Sequence, residues 1–209
     1  MKAKTKAGLC LLGNLVIVFF TILCVSHFFT KPQGGFMAVE KANCFRYFTI
    51  DSNILCAVSA CVAGIFCIKA LKTGELTLPL WAQKLIFSGA SALLLTFFTV
   101  MLFLGPTKGY GPMIGGDGAY MHVAGPILAL LLCWAEIGRL PKKAFILGIL
   151  PMVIYGIVYT VMVMGVGKWP DFYGFAENSK WYVSVIAMLV LQVVICFGLN
   201  ALHPKRKAK

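Results

Sequence analysis

Acidic residues are scarce in this chain. There are 7 Asp+Glu in 209 residues, and all charged residues together make up 12%. Soluble domains carry about 25% charged residues, so an ordinary water-facing surface is excluded, and a soluble enzyme with it. Cysteine pairing signals are missing too. Eight cysteines are present, but none forms a C-x-x-C pair or a Cys/His spacing suited to zinc. No flavin, nucleotide or haem motif occurs, so neither cofactor nor metal is expected. What abounds is apolar: 60% of residues are hydrophobic and the mean hydropathy is +0.87. The net charge of +12 would suggest nucleic acid in a soluble protein. Here the apolar runs give the basic residues a topological role, and nucleic acid is not an expected partner.

A membrane helix needs about 20 mostly apolar residues. Six stretches qualify, roughly 8–29, 45–68, 85–105, 119–137, 144–166 and 181–202. They do not alternate as barrel strands would. Backbone groups in lipid must be satisfied within each segment. The expected fold is therefore all-α, a polytopic bundle of six transmembrane helices forming one domain over 1–209. The first run is too long for a signal peptide and ends in Ser26-His27-Phe28-Phe29 rather than a cleavage site, so it reads as a retained helix. Thirteen of the 19 Lys+Arg fall on the side shared by the two termini and the second and fourth connections. By the positive-inside rule both termini are expected to be cytoplasmic, in a multi-pass cell-membrane protein.

Polar residues at membrane depth are costly and mark candidate sites. Thr49, Ser52, Asn53 and Cys56 recur at i, i+3, i+4 and i+7 and form one stripe on a helix. Asp51 lies about 200° round from Thr49; it is carried as a possible orienting acid whose partner would come from another helix or a connection. His122 is the one histidine well inside a span, and Pro126 removes a helical bond to its carbonyl. Spans two and four both enter from the outer side, which places Thr49 and His122 at one level, roughly 5 Å in. Histidine can take a threonine proton near neutral pH. Ser52 or Asn53 would donate to a developing oxyanion or position the substrate. A lipid ester suits such a place, since membrane lipid and water both reach it. Helix-to-helix bonding and back-bonding to the preceding turn are the alternative uses of the same side chains.

Thr107-Lys108-Gly109-Tyr110-Gly111 has the outline of a potassium filter, but Lys108 sits where carbonyls must face the ion. The connection 105–118, with six glycines, therefore reads as a flexible link. The aromatic run from Trp169 to Phe175 reads as an interfacial belt or as a lid over the pocket. Glu136, three residues before Arg139, is expected to pair with it at the membrane boundary; a proton relay is the other reading. A Cys24–Cys44 bridge is conceivable, and the remaining cysteines read as packing. Gln192 and Asn200 give no pattern.

Tyr47-Phe48-Thr49-Ile50-Asp51-Ser52-Asn53 resembles the F-T-x-x-S-N signature of uncharacterised bacterial six-span proteins. Those are distantly similar to the androgen-induced-gene family of membrane hydrolases. Met121-His122 with Pro126 is similar to that family's Met-His and downstream proline, and Trp169-Pro170-Asp171-Phe172-Tyr173 loosely resembles its W-x-Y-P-F stretch. The resemblance implies Thr49 as nucleophile and His122 as base, cleaving fatty-acid esters of hydroxy fatty acids. This chain departs from the eukaryotic pattern in Ser52-Asn53 and in its third and fifth connections. A membrane carrier or small-molecule binder without enzymatic activity, and a structural membrane protein, are the competing readings.

Overall fold

The computed structural model describes residues 3–30, 41–174 and 181–201, the side chain of Trp181 excepted. Lys2, Lys31, Phe175, Lys180 and the basic tail lie outside the described residues. Six helices are long and apolar enough to cross a membrane: α1 (Ala3–Thr30), α2 (Phe48–Thr73), α3 (Leu80–Lys108), α4 (Asp117–Glu136), α5 (Lys142–Gly165) and α6 (Trp181–Ala201). No strand occurs among the described residues.

Helix ends follow local chemistry. Residues Lys41–Arg46 form a 3₁₀ turn, so α2 starts at Phe48, three residues later than the apolar run suggests. It stops at Gly74, whose φ of 81° is open to glycine, and whose N–H caps the Ala70 carbonyl at 2.8 Å. Pro79 precedes the first turn of α3, as its fixed φ permits.

Inside the bundle small and polar residues share the core with large apolar ones such as Phe87, Ile50 and Leu93, and many other large apolar residues face outward. On α1 the buried positions are Ala7, Cys10, Asn14, Ile17, Thr21, Cys24 and Phe28. Their strict 3–4 spacing makes a seam of coiled-coil type. On α2 the matching row is Thr49, Ser52, Cys56, Ala63, Cys67 and Ala70. Small residues let the two backbones approach closely. Leu9, Leu12, Leu15 and Phe19 on α1 and Ile186, Val190, Val194 and Phe197 on α6 face outward, as suits a hydrocarbon solvent. The central helix is α3, which packs against α2, α4, α5 and α6.

Side-chain bonds to backbone tie the seams. Ser91 Oγ and Gln192 Nε2 both donate to the Gly148 carbonyl, at 3.1 and 2.7 Å, and Ser88 donates to the Leu147 carbonyl at 2.7 Å. Asn200 brackets Leu140, accepting from its N–H and donating to its carbonyl. His27 at the end of α1 pairs with Asp117 at the start of α4, 2.8 Å from Nδ1 to Oδ2.

One open question is answered here and one expectation corrected. Cys24 and Cys44 pack in one cluster as free thiols. Burial pushes the Cys44 thiol above its ordinary range, which disfavours the thiolate that oxidation requires. Glu136 does not pair with Arg139. The helix ends at Glu136 and Ile137 is extended (φ −105°, ψ 161°), so Arg139 is not on the next turn. Glu136 turns inward instead, to Asn14 and Cys67.

Candidate active site

Three of the six helices carry a π-turn near the same end of the bundle: Val100–Leu104 in α3, Tyr120–Ala124 in α4 and Val161–Gly165 in α5. The first two precede Gly105-Pro106 and Gly125-Pro126. Proline cannot donate to the carbonyl four residues back, and its ring crowds that carbonyl. A widened turn relieves both problems: Gly105 N–H bonds Val100 O, and Gly125 N–H bonds Tyr120 O, each five residues back. Such turns concentrate at functional sites. The one in α4 contains His122.

His122 is 4% exposed. Its Nδ1 donates to the Met113 carbonyl. That bond puts the proton on Nδ1, so the neutral ring offers Nε2 as an acceptor. Facing Nε2 at 3.3 Å is Thr49 Oγ1, from the first turn of α2. Spans two and four thus meet, and the threonine hydroxyl donates to a ring nitrogen free to receive its proton.

Met113 belongs to a short helix, Tyr110–Ile114, inside the glycine-rich connection. The connection is therefore not a flexible link. Gly109 (φ 88°) and Gly116 (φ 54°) supply the reversals, and Met113 is buried between them. Sequence reasoning missed Met113 because it acts through its carbonyl.

The remaining predicted residues have these places. Asn53, fully buried, donates to the Thr49 carbonyl at 2.8 Å and the Met121 carbonyl at 3.3 Å, so both N–H groups are spent, one within α2 and one joining α2 to α4. Ser52 Oγ lies 3.1 Å from the Thr49 carbonyl and 2.8 Å from Thr96 Oγ1 on α3. Asp51 lies on another side of α2, within electrostatic reach of Cys44, Tyr155 and Tyr173. The place behind the imidazole belongs to the Met113 carbonyl.

Beside Thr49 opens a cavity of about 80 Å³. Its walls are chiefly apolar and include Leu95, Val100, Met152, Val163 and Met188. Thr49, Thr96 and Thr99 give it hydroxyls. Met164 lines it and is 48% exposed, so the cavity reaches the lipid-facing flank of α5. Tyr173 closes it from the connection after α5 and accepts the Phe48 N–H at 3.1 Å. Phe172 stacks on Tyr47, with centroids 4.4 Å apart. Of this aromatic run, Tyr173 is the residue that lines the pocket. Arg46 sits 6.0 Å from the Trp169 ring, a cation–π distance. Thr96 and Thr99 went unnoticed in the sequence because single threonines in an apolar span usually back-bond to their own helix. Among the described residues no cluster of three or more His, Cys, Asp or Glu could hold a metal ion.

No known protein family, curated protein or solved structure matches the chain.

Proposed function

We propose that this chain is a membrane-embedded hydrolase of lipid esters, with Thr49 as nucleophile and His122 as general base. The reading rests on one observation: a threonine hydroxyl 3.3 Å from an imidazole nitrogen whose other nitrogen is already bonded. A base within reach, itself oriented by a third group, is the arrangement an activated nucleophile needs. The adjoining apolar cavity suits an acyl chain, and its opening along α5 suits delivery from the bilayer. In this reading Thr49 Oγ attacks the ester carbonyl carbon while Nε2 takes its proton. The alcohol leaves with that proton. Water, deprotonated by the same nitrogen, then cleaves the acyl-threonine and restores the hydroxyl.

The oxyanion needs a donor, and Asn53 has none to spare. Ser52 has one proton and two acceptors. When Ser52 gives that proton to Thr96 Oγ1 instead of to the Thr49 carbonyl, the Thr96 proton is free to point into the cavity. Thr96 is thus the donor this reading favours. With the termini cytoplasmic, the site opens on the external half of the cell membrane.

The test is a fluorophosphonate probe applied to the purified protein, alongside turnover of fatty-acid esters of hydroxy fatty acids. Labelling should be lost in Thr49→Ala and kept in Thr49→Ser. Labelling that persists in Thr49→Ala would remove the nucleophile. Lipid uptake into the protein without any turnover would favour a carrier or binder.

A glycine offers a second check. A Cβ on Gly118 would collide with the Met113 carbonyl oxygen and lie 3.4 Å from His122 Nδ1. Gly118→Ala should displace that carbonyl and loosen the imidazole. Turnover is expected to fall by about 10²-fold, the cost of a misplacement near 1 Å, although the substitution touches neither reacting atom. Steady-state kinetics should show the loss mainly in kcat.

A further inference from the structure

The cavity beside Thr49 runs along one face of α5. Met152, Tyr155, Gly156, Tyr159, Thr160 and Val163 all line it, and their 3–4 spacing makes a single helical stripe. Gly156 alone among them lacks a side chain. Glycine inside a helix is costly next to alanine, and in membrane helices it is commonly kept where another backbone comes close. Neither a close approach nor a positive φ accounts for it here, since a Cβ on Gly156 would meet nothing within 4 Å. A side chain at this position would take cavity space.

The polar groups give the cavity a direction. Thr160 Oγ1 donates to the Gly156 carbonyl at 2.8 Å, and Thr99 Oγ1 donates to Met188 Sδ at 3.4 Å. Both protons are spent. Thr49 and Thr96 remain as the hydroxyls for a polar group, whereas Met152, Val163 and Met188 give an apolar wall with Gly156. Met164 stands at the lipid-facing mouth, within the π-turn Val161–Gly165. The π-turns of α3 and α4 accommodate a Gly-Pro step; the one in α5 is followed by Val166-Gly167 and has no proline to accommodate. Such turns concentrate at functional sites, and this one borders the mouth. At roughly 10–15 Å³ for each water-sized group, a cavity of about 80 Å³ takes about six methylenes.

We propose that Gly156 is a specificity-determining residue. It keeps open the space for the first carbons of an acyl chain that enters from the bilayer past Met164, with its carbonyl end toward Thr49. That the chain belongs to an ester rests on the hydrolase reading; that the cavity takes a hydrocarbon chain does not.

Two measurements on the purified full chain test this. The first uses p-nitrophenyl esters from acetyl to dodecanoyl. The readout is the ratio of kcat/KM for the octanoyl over the acetyl ester, which does not depend on how much of a variant is folded. In wild type kcat/KM should rise about fourfold per methylene and level off near the octanoyl ester, where the chain passes the mouth. Gly156→Leu adds a four-carbon side chain and should cut the ratio by about 10²-fold; Gly156→Ala should cut it by about fourfold. The second measurement photolyses octanoic acid carrying a terminal diazirine on equal amounts of folded wild type and variants. The adduct should map to Met152, Val163 or Met188 in wild type, and its yield should fall in both variants. Should Gly156→Leu not fold, Gly156→Ala decides on both readouts. Cavity adducts that the variants diminish, without any ester turnover, uphold the chain site and overturn the hydrolase. A chain-length ratio equal in wild type and variants, or adducts absent from the cavity or unchanged by substitution, would overturn the role of Gly156 and leave Thr49 and His122 as they stand.

Discussion

Replacing His122 with alanine should lower ester turnover by roughly 10²- to 10⁴-fold, the span usual for losing a general base. The residue is buried, so the comparison needs a structural control. His122→Gln keeps an amide able to donate to the Met113 carbonyl but offers no basic nitrogen to Thr49. It should preserve the fold better than alanine and lose activity to a similar degree. Rates of fluorophosphonate labelling at Thr49 supply the second readout. They should fall in parallel with turnover in both variants, because the same proton must leave the hydroxyl in each reaction. Variants that keep wild-type labelling and turnover would reduce the Thr49–His122 bond to a helix tie.

Gly148→Ala is expected to destabilise the bundle by about 1–3 kcal/mol, the usual cost of overpacking a filled core. Helix propensity argues the other way, since alanine in place of glycine gains about 1 kcal/mol in a helix interior. Packing decides the sign. A Cβ on Gly148 would lie 2.6 Å from Cys196 Sγ and 2.7 Å from the Phe87 ring, and both residues are fully buried. The Ser91 and Gln192 bonds to the Gly148 carbonyl would be strained as well. At Gly198, on the same face of the question but facing outward, a Cβ meets nothing within 4 Å. Gly198→Ala should therefore leave thermal stability unchanged or raise it. Unfolding of both variants in one detergent checks the contrast.

Much of this arrangement was legible in the sequence, for reasons that differ by residue. The six spans follow from apolar run length alone. Thr49 and His122 stood out because polar groups are rare at that depth, and the shared direction of spans two and four put them at one level. Their contact was not legible, since it depends on the π-turn in α4 and on how α2 crosses it. Glu136 was misjudged because i, i+3 spacing to Arg139 assumes that the helix continues, and it does not. Met113 was invisible: any residue type offers a carbonyl, and only the folding of the glycine-rich connection brings this one to the ring. Asn53 carried the right polarity for an oxyanion donor but spends its protons on the Thr49 and Met121 carbonyls.

An α-helix advances about 100° per residue. The extra residue taken up by the π-turn at Tyr120–Ala124 therefore offsets the angular phase of α4 before the turn from its phase after it. The two portions need not present the same azimuth to the bundle. From Ala129 onward the helix can satisfy α1 and α3 through its apolar seam, while the imidazole, within the turn, is aimed at α2. Chemistry and packing are thereby decoupled along a single helix, and each half is free to be tuned without rotating the other.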